Sequence, residues 1–80
     1  MIVKVKLFAV LKENLGEEIE LDVPEPVTAH SLLERFVSDH PQFRNARNSL
    51  NVAVDQSYST EDQPISPGQE VAIFPPVSGG

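Results

Sequence analysis

The sequence predicts an α+β domain: a mixed sheet of four to five strands, one main helix on one face, and an extended C-terminal tail. Three observations lead there. Apolar and polar residues alternate with period two near both ends of the chain. A single stripe of helical period lies between those stretches. The closing FPPVSGG continues neither pattern.

The first strand is Ile2 to Phe8, with Val3, Val5 and Leu7 on one face and Lys4 and Lys6 on the other. AVLKENLGEE then loses the alternation, and Gly16 marks a turn. Glu18 to Val23 alternates again, Ile19, Leu21 and Val23 opposing Glu18, Glu20 and Asp22. Pairing these strands sets Lys4 and Lys6 near Glu20 and Asp22, a solvated face of opposite charges. Pro24 and Pro26 end the second strand, and Thr28 caps a helix whose stripe is Ala29, Leu32, Leu33, Phe36 and Val37. That helix stops near Asp39–His40, because Pro41 disfavours helical geometry in the residue before it. QFRNARNS reads as one irregular turn, Leu50 to Val54 as a short strand, and Asp55 to Pro67 as a long connection. Pro67-Gly68 is a tight turn, and Glu70 to Phe74 a last strand with Val71 and Ile73 opposite Ala72 and Phe74. A hairpin, a helix and then returning strands is the order of the β-grasp, or ubiquitin-like, fold. By analogy with that fold, the last strand lies parallel to the first at the sheet centre. The division is a domain over residues 1–74 and a tail over 75–80.

Composition narrows the function. A chain of 80 residues holds one modest core and no roomy interior active site. Without cysteine it has no disulfide, no thiol nucleophile and no cysteine-based zinc site, and a small domain lacking such staples fits the cytoplasm. No stretch resembles a membrane span or a signal peptide. Six basic residues against twelve acidic ones, net charge -6, argue against nucleic acid as a partner. All six basic residues stand at or before Arg47, so the C-terminal half is anionic and a basic surface is its natural receiver.

Side-chain chemistry is scarce. His30 and His40 lack a third ligand at metal spacing and read as helix-surface histidines; no metal site is expected. Ser38-Asp39-His40 has triad residue types, but consecutive positions do not converge in triad geometry. Gly16 and Gly68 are isolated, so no phosphate loop exists. The tail remains. Glycine is about 7% of residues on average, so a pair at a chosen place arises by chance about 0.5% of the time, a weak account beside what precedes it. Pro75 and Pro76 stiffen the exit, Val77 and Ser78 are small, and Gly79 and Gly80 carry no Cβ to obstruct a narrow slot. Extended at about 3.3 Å per residue, residues 75–80 reach roughly 20 Å. Such an arm delivers its own α-carboxylate to another protein's active site. Once adenylated by ATP, that carboxylate is open to an amine or to a sulfur nucleophile. Beside the tail, Phe8 shares the outer face with Lys4 and Lys6, and Phe74 shares it with Ala72. If the two strands are neighbours, these rings form an exposed apolar pair that Tyr58 extends, and such clusters mark partner surfaces. The plain alternative is that the molecule's own loops cover them.

VKLFAVLKE, NVAVDQSYS and above all PGQEVAIFPPVSGG resemble the ubiquitin-like sulfur carriers, specifically the small subunits of molybdopterin synthase (MoaD type), over the whole chain. The resemblance implies that Gly80 is adenylated by a ubiquitin-activating-like enzyme using ATP and converted to a thiocarboxylate with sulfur from a persulfide donor. It implies that the tail enters the large catalytic subunit of a heterotetramer and gives sulfur, in two rounds, to cyclic pyranopterin monophosphate, forming the dithiolene. By the same resemblance Gly80 carries the sulfur and Gly79 gives access. Phe8, Tyr58 and Phe74 match positions of apolar partner contact, although relatives often have a smaller aliphatic residue at the Tyr58 position. No cofactor is bound by the chain itself. The terminal Gly-Gly also fits carriers for thiamine or tRNA thiolation, and a ubiquitin-like modifier conjugated through Gly80. A passive β-grasp interaction domain is the remaining reading.

Overall fold

The computed structural model describes residues 1–76. Five strands form one sheet: β1 (Ile2–Leu7), β2 (Glu18–Asp22), β3 (Asn51–Val54), β4 (Ser57–Tyr58) and β5 (Val71–Phe74). Their spatial order is β2-β1-β5-β3-β4. β1 is antiparallel to β2 and parallel to β5, while β3 is antiparallel to both β5 and β4. The first and last strands are therefore central neighbours, as the β-grasp order requires. The strands are trimmed by about one residue against the alternation, as is usual at element ends.

Helix α2 (Ala29–Asp39) covers one face. Its stripe of Ala29, Leu32, Leu33, Phe36 and Val37 meets Val3, Val5, Leu7, Leu21, Val52, Val54, Val71 and Ile73 in one core. At the N-terminus four amides that the helix leaves unpaired find acceptors. The Thr28 hydroxyl accepts from the Ser31 amide at 3.1 Å, and the Ser31 hydroxyl accepts from the Thr28 amide at 2.9 Å. The amides of Ala29 and His30 donate to the carbonyls of Gln63 and Glu61, each at 2.9 Å, so the long connection is docked on the helix start. The helix ends at Asp39, before Pro41. QFRNARNS, with Pro41, is not a single irregular turn but a 3-10 segment over Pro41–Ser49. It stays ordered because Phe43 stacks on Phe36 with ring centroids 5.8 Å apart.

Two elements go beyond the sequence expectation. AVLKENL is a second helix, α1 (Ala9–Leu15), which buries Leu11 and closes on Gly16 at φ 96. β4 lies within the long connection and joins β3 through a two-residue turn, Asp55-Gln56, with φ of 51 and 69. Non-glycine residues occupy that left-handed region at a cost of roughly 1 to 2 kcal/mol each. The turn is held by Asp55, whose Oδ1 accepts from the Glu70 amide and whose Oδ2 accepts from the Gln69 side chain, both at 3.0 Å. The outer-face pairing also differs in detail. Lys4 opposes Glu20, but Lys6 opposes Glu18 and reaches across to Glu70, and Asp22 opposes Ile2.

A charged strap ties three segments together. Arg47, on the 3-10 segment, donates through Nε to Glu34 at 2.6 Å and through Nη2 to Glu61 at 2.9 Å. His30 Nδ1 lies 2.7 Å from the same Glu61 oxygen. Hydrogen bonds from Arg47 and His30, with the nearby Arg47 charge, hold the Glu61 carboxyl below its ordinary value of 4.5. A carboxyl depressed in the folded state stabilises above its unfolded value and loses that contribution as pH falls through the folded one. Arg47→Met should therefore lower the melting temperature at neutral pH, and the gap to the unmodified chain should narrow once pH falls below 4.5. Thermal melts at several pH values check this; a gap that stays constant into acid would contradict it.

Candidate functional site

Strand parity decides which side chains face away from α2. On β1 the core-facing residues are Val3, Val5 and Leu7, leaving Lys4 and Lys6 outside. Phe8 keeps extended backbone, at φ -135 and ψ 159, and so prolongs the outer row by one residue. Ala9 then turns at φ 55 and carries the chain into α1. On β5, Val71 and Ile73 are buried, while Ala72 and Phe74 share the outer face. The parallel register Lys6–Ala72 and Leu7–Ile73 continues to bring Phe8 and Phe74 to the same end of the sheet.

The outer face has a low floor. Ala53 pairs with Ala72 across β3 and β5, and neither side chain rises beyond its Cβ. Taller neighbours surround them, leaving a depression of about 250 Å³ lined by Phe8, Phe74, Gln56, Lys6 and Glu70 above the two alanines. Phe8 is 49% exposed and Tyr58 74% exposed, so the described loops leave both rings open to solvent. Tyr58 opposes Ala53 in β4 and meets the half-buried Phe74 edge to face, with centroids 5.3 Å apart. That geometry is the favoured one for an aromatic pair. Lys6 Nζ lies 3.3 Å from Glu70 Oε2 on the polar side of the depression.

The structure thus brings together Phe8, Tyr58 and Phe74, which the sequence singled out. It adds Ala53, Gln56 and Glu70, whose place depends on non-local strand register and a strained turn. The outward parity of Ala72 was the one local sign of a floor. Pro75 and Pro76 follow directly from Phe74, Pro75 half-buried and Pro76 exposed. Because β5 runs parallel to β1, they leave at the end of the sheet where Phe8 stands. Val77, Ser78, Gly79 and Gly80 lie outside the described residues. The two histidines do not converge: His30 contacts Glu61, and His40 Nδ1 contacts the Phe36 carbonyl at 3.1 Å. Among the described residues, no group of three His, Cys, Asp or Glu side chains stands close enough to hold a metal ion. No described helix is long and apolar enough to cross a membrane.

Comparison with known proteins places this geometry. The chain is 37% identical over 81 residues to the molybdopterin synthase sulfur carrier subunit of Dictyostelium discoideum, covering 96% of this chain and 94% of that one. It is 31% identical over 84 residues to small archaeal modifier protein 1 of Haloferax volcanii, covering 94% and 97% respectively. The crystal structure of SAMP1 from Haloferax volcanii superposes with a TM-score of 0.79 at 29% identity, covering 100% of both chains. The model of the ThiS family matches residues 5–80. The chain belongs to the ThiS family.

Proposed function

We propose that this chain is the sulfur carrier subunit of a molybdopterin synthase, with the carboxyl of Gly80 as its reactive group. One observation carries the reading: the last strand ends in an open aromatic patch, so Pro75 and Pro76 depart beside a face suited to docking. Likeness to sulfur carrier subunits of that synthase supports the reading. The carboxylate attacks the α-phosphate of ATP on an activating enzyme, and pyrophosphate leaves. A persulfide displaces AMP from the acyl-adenylate, and a thiol then cleaves the resulting acyl disulfide to leave a thiocarboxylate. The arm next enters a large catalytic subunit, where sulfur passes to the pterin. The roles of the parts follow from their physics. Phe8, Tyr58 and Phe74 anchor the partner, Pro75 and Pro76 launch the arm with little entropy left to lose, and Val77, Ser78 and Gly79 pass a narrow channel to Gly80.

A second reading rests on the likeness to an archaeal modifier. The same activated carboxyl, attacked by a lysine amine, gives an isopeptide, and the patch would then serve the conjugating machinery.

The carrier reading makes two predictions. Deleting Gly80, or adding one residue after it, should abolish sulfur transfer in a reconstituted synthase assay while circular dichroism stays unchanged. Retained transfer would contradict it. Phe74→Ala should weaken binding to the large subunit by about 2 kcal/mol or more, the scale of an interface anchor, with the fold retained. Titration calorimetry reads the affinity; a variant that unfolds would place Phe74 in the core instead.

A further inference from the structure

The polar side of the depression is internally satisfied. Glu70 Oε2 is paired with Lys6 Nζ at 3.3 Å, and Glu70 Oε1 accepts from Gln56 Nε2 at 3.4 Å. Both carboxylate oxygens thus have donors from their own chain. Lys6 and Glu70 are the two charged residues lining the depression, and they cancel, in a protein whose net charge is -6. Gln56 reaches Glu70 from a left-handed backbone position, at φ 69, that a glycine would occupy without strain. A glycine there would remove the amide that Glu70 uses.

We infer that the partner surface covering this depression is uncharged where it meets Glu70: an apolar side chain seated over Ala53 and Ala72, with no cation at the rim. The inference rests on the assembly proposed above and specifies the chemistry of its contact. A lone carboxylate covered by a partner must be matched by a cation from that partner or left desolvated and unpaired. A carboxylate already held by Lys6 and Gln56 is covered at far lower cost, and an apolar partner suffices. The acidic character of the chain acts at long range, whereas the docking surface itself is neutral.

The test is calorimetric titration of full-length chains against the large subunit of molybdopterin synthase. Lys6→Met strands Glu70 and should weaken binding about tenfold or more. Lys6→Met combined with Glu70→Leu should restore the affinity of the unmodified chain or improve it, because an apolar pair replaces an ion pair. The side chains of Lys6 and Glu70 are 53% and 36% exposed, so both variants should fold, which melting curves check. Gln56→Gly should raise the melting temperature yet weaken binding, a split that a purely structural role would not produce. A partner cation on Glu70 reverses the signs: Lys6→Met would bind as well as the unmodified chain or better, and the double variant would lose affinity. Either result overturns the inference. An unmodified chain that does not bind the large subunit overturns the assembly itself.

Discussion

The parallel pairing of β1 with β5 is the constraint on which the rest of this molecule depends. Val5, Lys6 and Leu7 lie beside Val71, Ala72 and Ile73, so the first and last segments of the chain share the centre of the sheet. Such pairing is non-local, and its loop-closure cost is offset only when the core forms. Val5, Leu7, Val71 and Ile73 contribute directly to that offset, since all are buried against α2. The same pairing decides where Phe74, Pro75 and Pro76 stand. Pro75 and Pro76 leave from the middle of the sheet, at the end where Phe8 stands.

The proposed function needs little else from the domain. The two histidines are each engaged, His30 with Glu61 and His40 with the Phe36 carbonyl. What the domain offers is a firm platform and a shallow aromatic surface from which Pro75 and Pro76 depart. The outer face is open because two alanines meet where bulkier residues would otherwise fill the sheet. Under the proposed function, binding energy resides in the rings, which the sheet holds together, and reactivity in the carboxyl of Gly80. Under the same proposal, separating the anchor from the reacting atom lets one terminus serve more than one partner in turn.

Much of this was legible in the sequence, and the reasons differ by element. β1, β2 and α2 carry strong period signals, and Thr28 and Pro41 mark the ends of α2 plainly. The outward parity of Phe8 and Phe74 followed from the same alternation, with Lys4 and Lys6 as markers of the wet face. α1 was missed because two turns of helix leave only Leu11 fully buried, too little for a stripe. β4 was missed because alternation cannot show itself in two residues, and its turn uses Asp-Gln where glycine is the usual signal. The partners of Lys6 were misjudged for another reason. Its ammonium chooses Glu70 across a parallel pairing that no local pattern encodes. Gln56 and Glu70 entered the site by the same route.

The account stands or falls on the terminal carboxyl. The most direct measurement is the intact mass of the chain after incubation with ATP, an adenylating enzyme and a persulfide donor. The account predicts that one oxygen is exchanged for one sulfur, localised to the peptide ending in Gly80. An unchanged mass, or a ladder of larger protein conjugates in place of the exchange, would contradict it.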